Sequence, residues 1–281
     1  MKNYKQFNIT FRPFLPDLVS GLLWELDILG INEEDNFLYV FGSEDSGVSI
    51  EQIEKVLASL QRENLIETFS MESLILAYRN WNEEWEKKVN VIQVSDRIVI
   101  KPTFRSYDAK ENQIVITIDP KMSFGTGEHQ TTKIMLQLLE KFTSNGDAVL
   151  DVGSGTGVLA IASVLLGAAK AVAVDNDEWC LDNGIENIKL NSVEDKVHAV
   201  LGELSDISES GFDLIAANIN KHILPDIVHE LRNKIRKSGK LLLSGLLVQD
   251  ELDIKEAYST AGFKHIETVK MDEWIGLVFT V

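Results

Sequence analysis

Cysteine is almost missing from this chain: Cys180 is the single one among 281 residues. No internal disulfide and no thiolate metal cluster can form, and a reducing compartment is expected. Long apolar runs are missing too. No window approaches the ~18 apolar residues needed to cross a bilayer, and Met1 to Phe14 alternates polar and apolar residues without the apolar core of a secretion signal. A soluble, cytoplasmic protein with no membrane partner is the expectation. Basic residues are in deficit, 27 against 44 acidic ones for a net charge of −17, and the acids are dispersed along the chain. That field repels phosphate backbones and disfavours direct nucleic acid binding, but it draws in a basic protein or a cationic cofactor. Repeats and low-complexity tracts are lacking as well. What the chain does have is 44% hydrophobic content, enough to fill one large α/β core and a smaller one.

Residues 1–78 read as a small α+β domain. The pattern predicts strand Gln6–Arg12, a helix from Phe14 to Leu29, strand Phe37–Phe41, helix Ser49–Glu63 and strand Ser73–Tyr78. Pro13 and Pro16 suit a helix start, and Ser49 with Gln52 fits a capping box. This order suggests a ferredoxin-like layout. Residues 79–90 read as a linker helix whose Trp81 and Trp85 share one face and serve as packing area.

From residue 91 to 281 the pattern changes. Short strands at Arg97–Lys101 and Gln113–Ile118 precede a regular alternation of strands and helices, with strands at Ala148–Asp151, Ala171–Asp175, Val197–Leu201, Phe212–Ala217 and Lys240–Ser244. Such alternation predicts a doubly wound parallel sheet. Lys264–Lys270 and Trp274–Val281 are joined by only Met271-Asp272-Glu273, too short for a helical crossover, so the last strand should be antiparallel.

The densest chemical signal is Asp151-Val152-Gly153-Ser154-Gly155-Thr156-Gly157, followed by Ala171 to Asp175. A glycine turn between strand and helix lets backbone N–H groups approach a ligand closely, and an acid ending the next strand can accept bonds from ribose hydroxyls. The pattern therefore specifies an adenosine-type ligand. A dinucleotide fingerprint would need a third glycine where Val158 stands. The carboxylate of Asp151 before the turn opposes a pyrophosphate and suits the ammonium and sulfonium of S-adenosylmethionine.

A second cluster, Asp119 to Thr132, contains Phe124-Gly125-Thr126-Gly127-Glu128-His129-Gln130-Thr131-Thr132 before a helix that runs to about Lys141. Thr131 or Thr132 is the expected N-cap. A third cluster is the apolar strand ending at Asn218-Ile219-Asn220, whose carboxyl end should lie beside the glycine turn at the switch point of the sheet. The Asn218 amide can accept from an incoming amine while donating to a cofactor. His222 and His229 lack a third partner, so no metal is assigned.

Taken together, these three runs resemble the PrmA family, which methylates ribosomal protein eleven of the large subunit. The likeness extends to Val19-Ser20-Gly21-Leu22-Leu23-Trp24-Glu25-Leu26 and to the Trp81 and Trp85 linker. The resemblance implies a Rossmann-like methyltransferase domain, S-adenosylmethionine as donor, an amino-terminal domain that recognises the substrate, a flexible linker, and methylation of lysine side-chain and α-amino nitrogens. It carries cofactor contacts onto Thr132, Gly153, Asp175 and Asn218. Thr131, Asp151, Gly155 and Gly157 complete the expected cofactor set, and Asn218 with His129 form the expected catalytic pair: Asn218 orients the amine, and His129 shapes the acceptor pocket or relays the proton. Asn218-Ile219-Asn220 is similar to, but departs from, the Asn-Pro-Pro-Tyr of other nitrogen methyltransferases. A monomer is expected. A nicotinamide oxidoreductase, a methyltransferase of small molecules and a non-catalytic S-adenosylmethionine sensor remain the alternative readings of the residues.

Overall fold

The computed structural model describes residues 4–34, 36–43, 48–76, 90–119, 121 and 123–281. The chain divides into two compact units, Met1–Trp85 and Glu86–Val281.

In the first unit, β1 (Tyr4–Arg12), α1 (Pro16–Leu23), β2 (Gly30–Glu34), β3 (Phe37–Ser43), α2 (Ile50–Arg62) and β4 (Thr68–Leu76) follow one another. The strands form an antiparallel sheet in the order β2-β3-β1-β4. Alternation along β1 sends Phe7, Ile9 and Phe11 into the core, where they meet Leu38, Val40, Ile53 and Leu57. The Ser49 and Gln52 box does cap α2 from both sides.

The helix expected from Phe14 to Leu29 is shorter than that. It stops at Leu23, and Gly30–Glu34 is a strand that the sequence pattern did not reveal. The cause is pairing: Leu29 N–H already donates to the Phe41 carbonyl (2.7 Å), and Ile31 lies opposite Val40. A hairpin with β3 satisfies more backbone groups here than another helical turn would. Residues 77–89, with both tryptophans of the expected linker helix, lie outside the described residues.

The second unit opens with a small sheet, β5 (Ile92–Gln93), β6 (Ile98–Lys101) and β7 (Ile114–Thr117). Next come α3 (Gln130–Phe142), β8 (Ala148–Val152), α4 (Val158–Leu165), β9 (Lys170–Asp175), α5 (Glu178–Leu190), β10 (Val197–Leu201), β11 (Phe212–Asn218), α6 (Val228–Lys234), β12 (Ile235–Leu247), α7 (Glu251–Thr260), β13 (Lys264–Met271) and β14 (Trp274–Thr280). Seven strands form the main sheet in the order β10-β9-β8-β11-β12-β14-β13. β8 to β12 are parallel, and β14 runs antiparallel between β12 and β13.

One apolar core packs α3 and α4 on one face of this sheet, through Val149, Ile134 and Ile161. The other packs the opposite face with Leu150, Val152, Leu231 and Ile254. Two covered faces explain why the strands read as near-continuous apolar runs. The second unit is therefore a mixed α/β fold around a largely parallel sheet. No helix among the described residues is long and apolar enough to cross a membrane.

Candidate active site

The order of the strands places the site. β8 leads outward to β9 and β10, and the chain then crosses back to β11 on the other side of β8. Ala217 pairs with Val152, so Asn218 and Gly153 leave neighbouring strands at the same edge. Ligands collect at such a reversal.

The glycine turn takes a shape that side chains resist. Gly153, Gly155 and Gly157 have φ of +69°, +53° and +76°. A Cβ on Gly155 would collide with the Phe124 carbonyl oxygen, and one on Gly153 with the Ile219 side chain. The turn's own N–H groups are all used internally. Gly153 and Ser154 donate to the Val174 carbonyl (2.9 and 3.1 Å), Thr156 to Phe124 O (2.9 Å) and Gly157 to Ser154 O (2.8 Å), while Gly155 donates to Asp175 Oδ2 (2.8 Å). The expectation that these N–H groups meet the ligand is thus corrected. The turn offers closely approachable backbone and not a nest of free donors, which suits a nucleoside better than a pyrophosphate.

Asp175 stands at the end of β9, half-buried. It accepts from Gly155 and from Asp177 N–H (3.1 Å), and its carboxylate keeps further lone pairs for hydroxyl donors. A cavity of about 670 Å³ is lined by Asp175, Gly153, Gly155, Thr131, His129 and Asn218. A second, of about 340 Å³, shares Gly153, Asp175 and Ile219 with it and continues to Gly202, Glu203 and Leu204 after β10. The two hollows meet at the Asp175 carboxylate.

Asn218 Oδ1 is buried and has no protein partner. The residue lines the larger cavity, and a buried amide oxygen left unpaired is costly. His129 is the N-cap of α3, and the expected Thr131 or Thr132 is not. Its ring Nδ1 accepts from Thr131 N–H (3.3 Å) and lies 2.8 Å from Thr131 Oγ1. With Nδ1 accepting from Thr131 N–H, the ring presents Nε2 as its donor. The ring also stands edge-on to Phe124 (5.4 Å between centroids) and Trp274 (4.7 Å).

Asp151, Thr132 and Gly157 do not line the cavity. Asp151 shares the face of β8 that Val149 uses, so it points under α4. There its Oδ2 accepts from Ala160 N–H (3.1 Å), and its Oδ1 has no partner. Burial, with a push from the Asp175 carboxylate, raises its pKa to about 7 against the opposing effect of Ala160 N–H. Thr132 is buried in the first turn of α3 with Oγ1 unpartnered.

Trp274, Phe124, Ile219, Leu247, Asp250 and Glu203 line the cavities without having been singled out in the sequence. Trp274 had a readable signal. An antiparallel strand begins where its parallel neighbours end, and Trp274 pairs with Leu247 at the carboxyl end of β12.

Comparison with known proteins gives the family of the chain. The family model described as ribosomal protein L11 methyltransferase (PrmA) matches residues 39–281. A ribosomal protein L11 methyltransferase of Chlorobaculum parvum is 36% identical over 269 residues, spanning 93% of this chain and 91% of its own length. One of Chlorobaculum tepidum is 42% identical over 204 residues, 71% of this chain and 70% of that one. The crystal structure of ribosomal protein L11 methylase from Lactobacillus delbrueckii subsp. bulgaricus superposes with a TM-score of 0.65 at 31% identity, covering 68% of this chain and 98% of that chain. A glycine turn under a reversal in the sheet, an acid at the next strand end and these relatives lead to one assignment: the chain belongs to the ribosomal protein L11 methyltransferase (PrmA) family.

Proposed function

We propose that this protein transfers methyl groups from S-adenosylmethionine to lysine side-chain and α-amino nitrogens of ribosomal protein L11. The observation that carries the proposal is the buried, unpartnered Oδ1 of Asn218 in the wall of the cavity that Asp175 bounds. The residues fit the cofactor: a carboxylate for sugar hydroxyls, a backbone cradle that a Cβ would fill, and acceptor oxygens in place of phosphate-binding donors. When bound, S-adenosylmethionine supplies a methyl group on a positive sulfonium.

The chain's own work is positioning. Asp175 would hold the ribose hydroxyls, with Glu203 and Leu204 beside it in the lining of the smaller cavity. Gly153 and Gly155 let the backbone come close, and Thr131 closes the wall of the larger cavity. Asp151, Thr132 and Gly157 act from beneath the wall, by shaping the turn and the start of α3. Asn218 accepts a hydrogen bond from the incoming amine and aims its lone pair, and in-line attack at near-contact distance is where most of the acceleration arises. A lysine of reference pKa about 10.4 must first lose a proton, and a dry pocket beside a positive charge eases that loss. Phe124, His129 and Trp274 form the water-excluding wall. His129 shapes this pocket instead of removing the proton, because its Nδ1 lone pair is engaged by Thr131.

The first unit, proposed as the substrate-recognition domain over residues 1–78 with the linker at 79–90 and the methyltransferase domain from 91, is read as ferredoxin-like. Its antiparallel β-α-β-β-α-β order supports that layout. Fifteen acidic residues against six basic ones over residues 1–85 suit a basic protein partner and disfavour direct contact with nucleic acid. The protein acts as a cytoplasmic monomer in this reading.

Incubation with labelled S-adenosylmethionine and the proteins of the large ribosomal subunit, followed by mass spectrometry, tests the proposal. Label on L11 nitrogens is the expected result. Tight cofactor binding with no transfer to any protein would replace it with a sensing module.

A further inference from the structure

Helix α5 carries Asn183 and Asn187, and Asn191 is its C-cap, so three amides follow one another at intervals of four along one face. Each bonds to backbone and none to another side chain. Asn191 binds both backbone groups of Thr117, accepting from its N–H (2.8 Å) and donating to its carbonyl (2.7 Å). Asn187 Oδ1 accepts from Asp119 N–H (3.0 Å), and its Nδ2 donates to the Thr156 carbonyl (3.1 Å). Asn183 Nδ2 donates to the Asp119 carbonyl (3.1 Å). The three amides act as a substitute strand edge for the chain that leaves β7.

Asn187 differs from its neighbours in what it joins. One end of its amide holds the segment that continues to Phe124, His129 and Thr131, and the other holds the glycine turn. Thr156 then returns to the same segment, through N–H to Phe124 O (2.9 Å) and Oγ1 to Gly125 O (2.8 Å). The circuit is closed and fully buried at Asn187. The helix backbone also abuts the turn, since a Cβ on Gly184 would sit 3.5 Å from Gly155 O.

We propose that Asn187 is a positioning residue for the cofactor cavity. It fixes the distance between the glycine turn and the wall formed by Phe124, His129 and Thr131, and this role rests on the function proposed above. Loss of its amide leaves Asp119 N–H and Thr156 C=O without this partner, and the two walls of the cavity are then no longer tied to each other through it. Asn191, with more bonds but one turn further from the site, anchors the segment without bridging to the turn.

The test uses the full chain with Asn187→Ala, Asn187→Asp and Asn191→Ala, reading S-adenosylmethionine Kd by calorimetry and Tm by scanning calorimetry. Asn187→Ala should raise Kd roughly tenfold to a hundredfold, whereas Asn191→Ala should lower Tm at least as much while shifting Kd by no more than about twofold. In Asn187→Asp an ionised carboxylate faces the Thr156 carbonyl, and protonation restores a donor there. Its Kd relative to the unsubstituted protein should therefore recover as pH falls from about 8 to about 5.

A folded Asn187→Ala with unchanged Kd, or Kd losses that simply follow Tm across the variants, overturns the inference. If Asn187→Ala does not fold, the pH course of Asn187→Asp decides alone, and a flat ratio overturns it. Failure of the unsubstituted protein to bind S-adenosylmethionine would instead remove the proposed function on which the inference rests.

Discussion

The core of the first unit is a cluster of twelve buried apolar side chains, from Phe7 to Ile66, whereas all ten buried polar or charged side chains among the described residues belong to the second unit. The charge distribution is reversed in emphasis. Residues 1–85 carry more than half of the net negative charge in less than a third of the length, and none of their described charged side chains is buried. Buried polar groups cost stability unless they are bonded, and Ser123, Thr132, Asp151, Asn183 and Asn218 each keep an unpartnered buried atom on the segments around the glycine turn. One unit buries what stabilises it and displays its charge. The other keeps costly groups inside, and one of them, Asn218, lines the cavity.

The sharpest attempt to break this contrast is Asn218→Ala. Turnover should fall roughly a hundredfold to a thousandfold by analogy with the loss of one preorganised polar group, with cofactor binding partly kept; full activity in single-turnover assays would remove Asn218 from the mechanism.

Asp151→Asn tests the cost directly. With the folded pKa raised to about 7 from the ordinary 3.8, the folded chain retains a proton that the unfolded chain releases between those values. The contribution of this group to stability therefore falls as pH rises through that window. The amide variant keeps an acceptor for Ala160 N–H, so without cofactor it should be roughly 2–4 kcal/mol more stable at pH 8 and level with the parent near pH 4. Urea unfolding at both pH values measures this, and equal stability at pH 8 would mean that the buried carboxylate costs nothing.

Reversing the exposed Glu33, Glu34 and Glu72 to Lys should raise KM for the protein substrate about fivefold to tenfold while leaving cofactor Kd unchanged. A change in cofactor Kd would show that the division of labour between the units is wrong. The smallest effect is expected from Ser49→Ala, which removes the capping box of α2 at a cost of about 1 kcal/mol, read as a lower Tm with unaltered cofactor affinity.

How much of this was legible in the sequence depends on how local the cause is. The glycine turn and Asp175 could be read because their backbone demands fall within one stretch of chain, and the position of Asn218 followed from parallel topology. Trp274 could be placed only as the first residue of the antiparallel last strand, and nothing within their own stretches marks Asp250 and Glu203. The β2 and β3 hairpin was hidden because apolar residues after Leu23 also suit a helix, and only pairing with Phe41 and Val40 decides between them. The N-cap of α3 differs from the expected threonine because the ring of His129, two residues earlier than Thr131, accepts from Thr131 N–H and starts the helix sooner.

β14 is inserted between two strands that precede it in the chain, and its first residue is a wall of the site. The later residues of β14 belong to the cores on both faces of the sheet, Val278 on one and Ile275, Leu277 and Phe279 on the other. Synthesis must therefore reach β14 before either core, and with them the wall that Trp274 makes, can close.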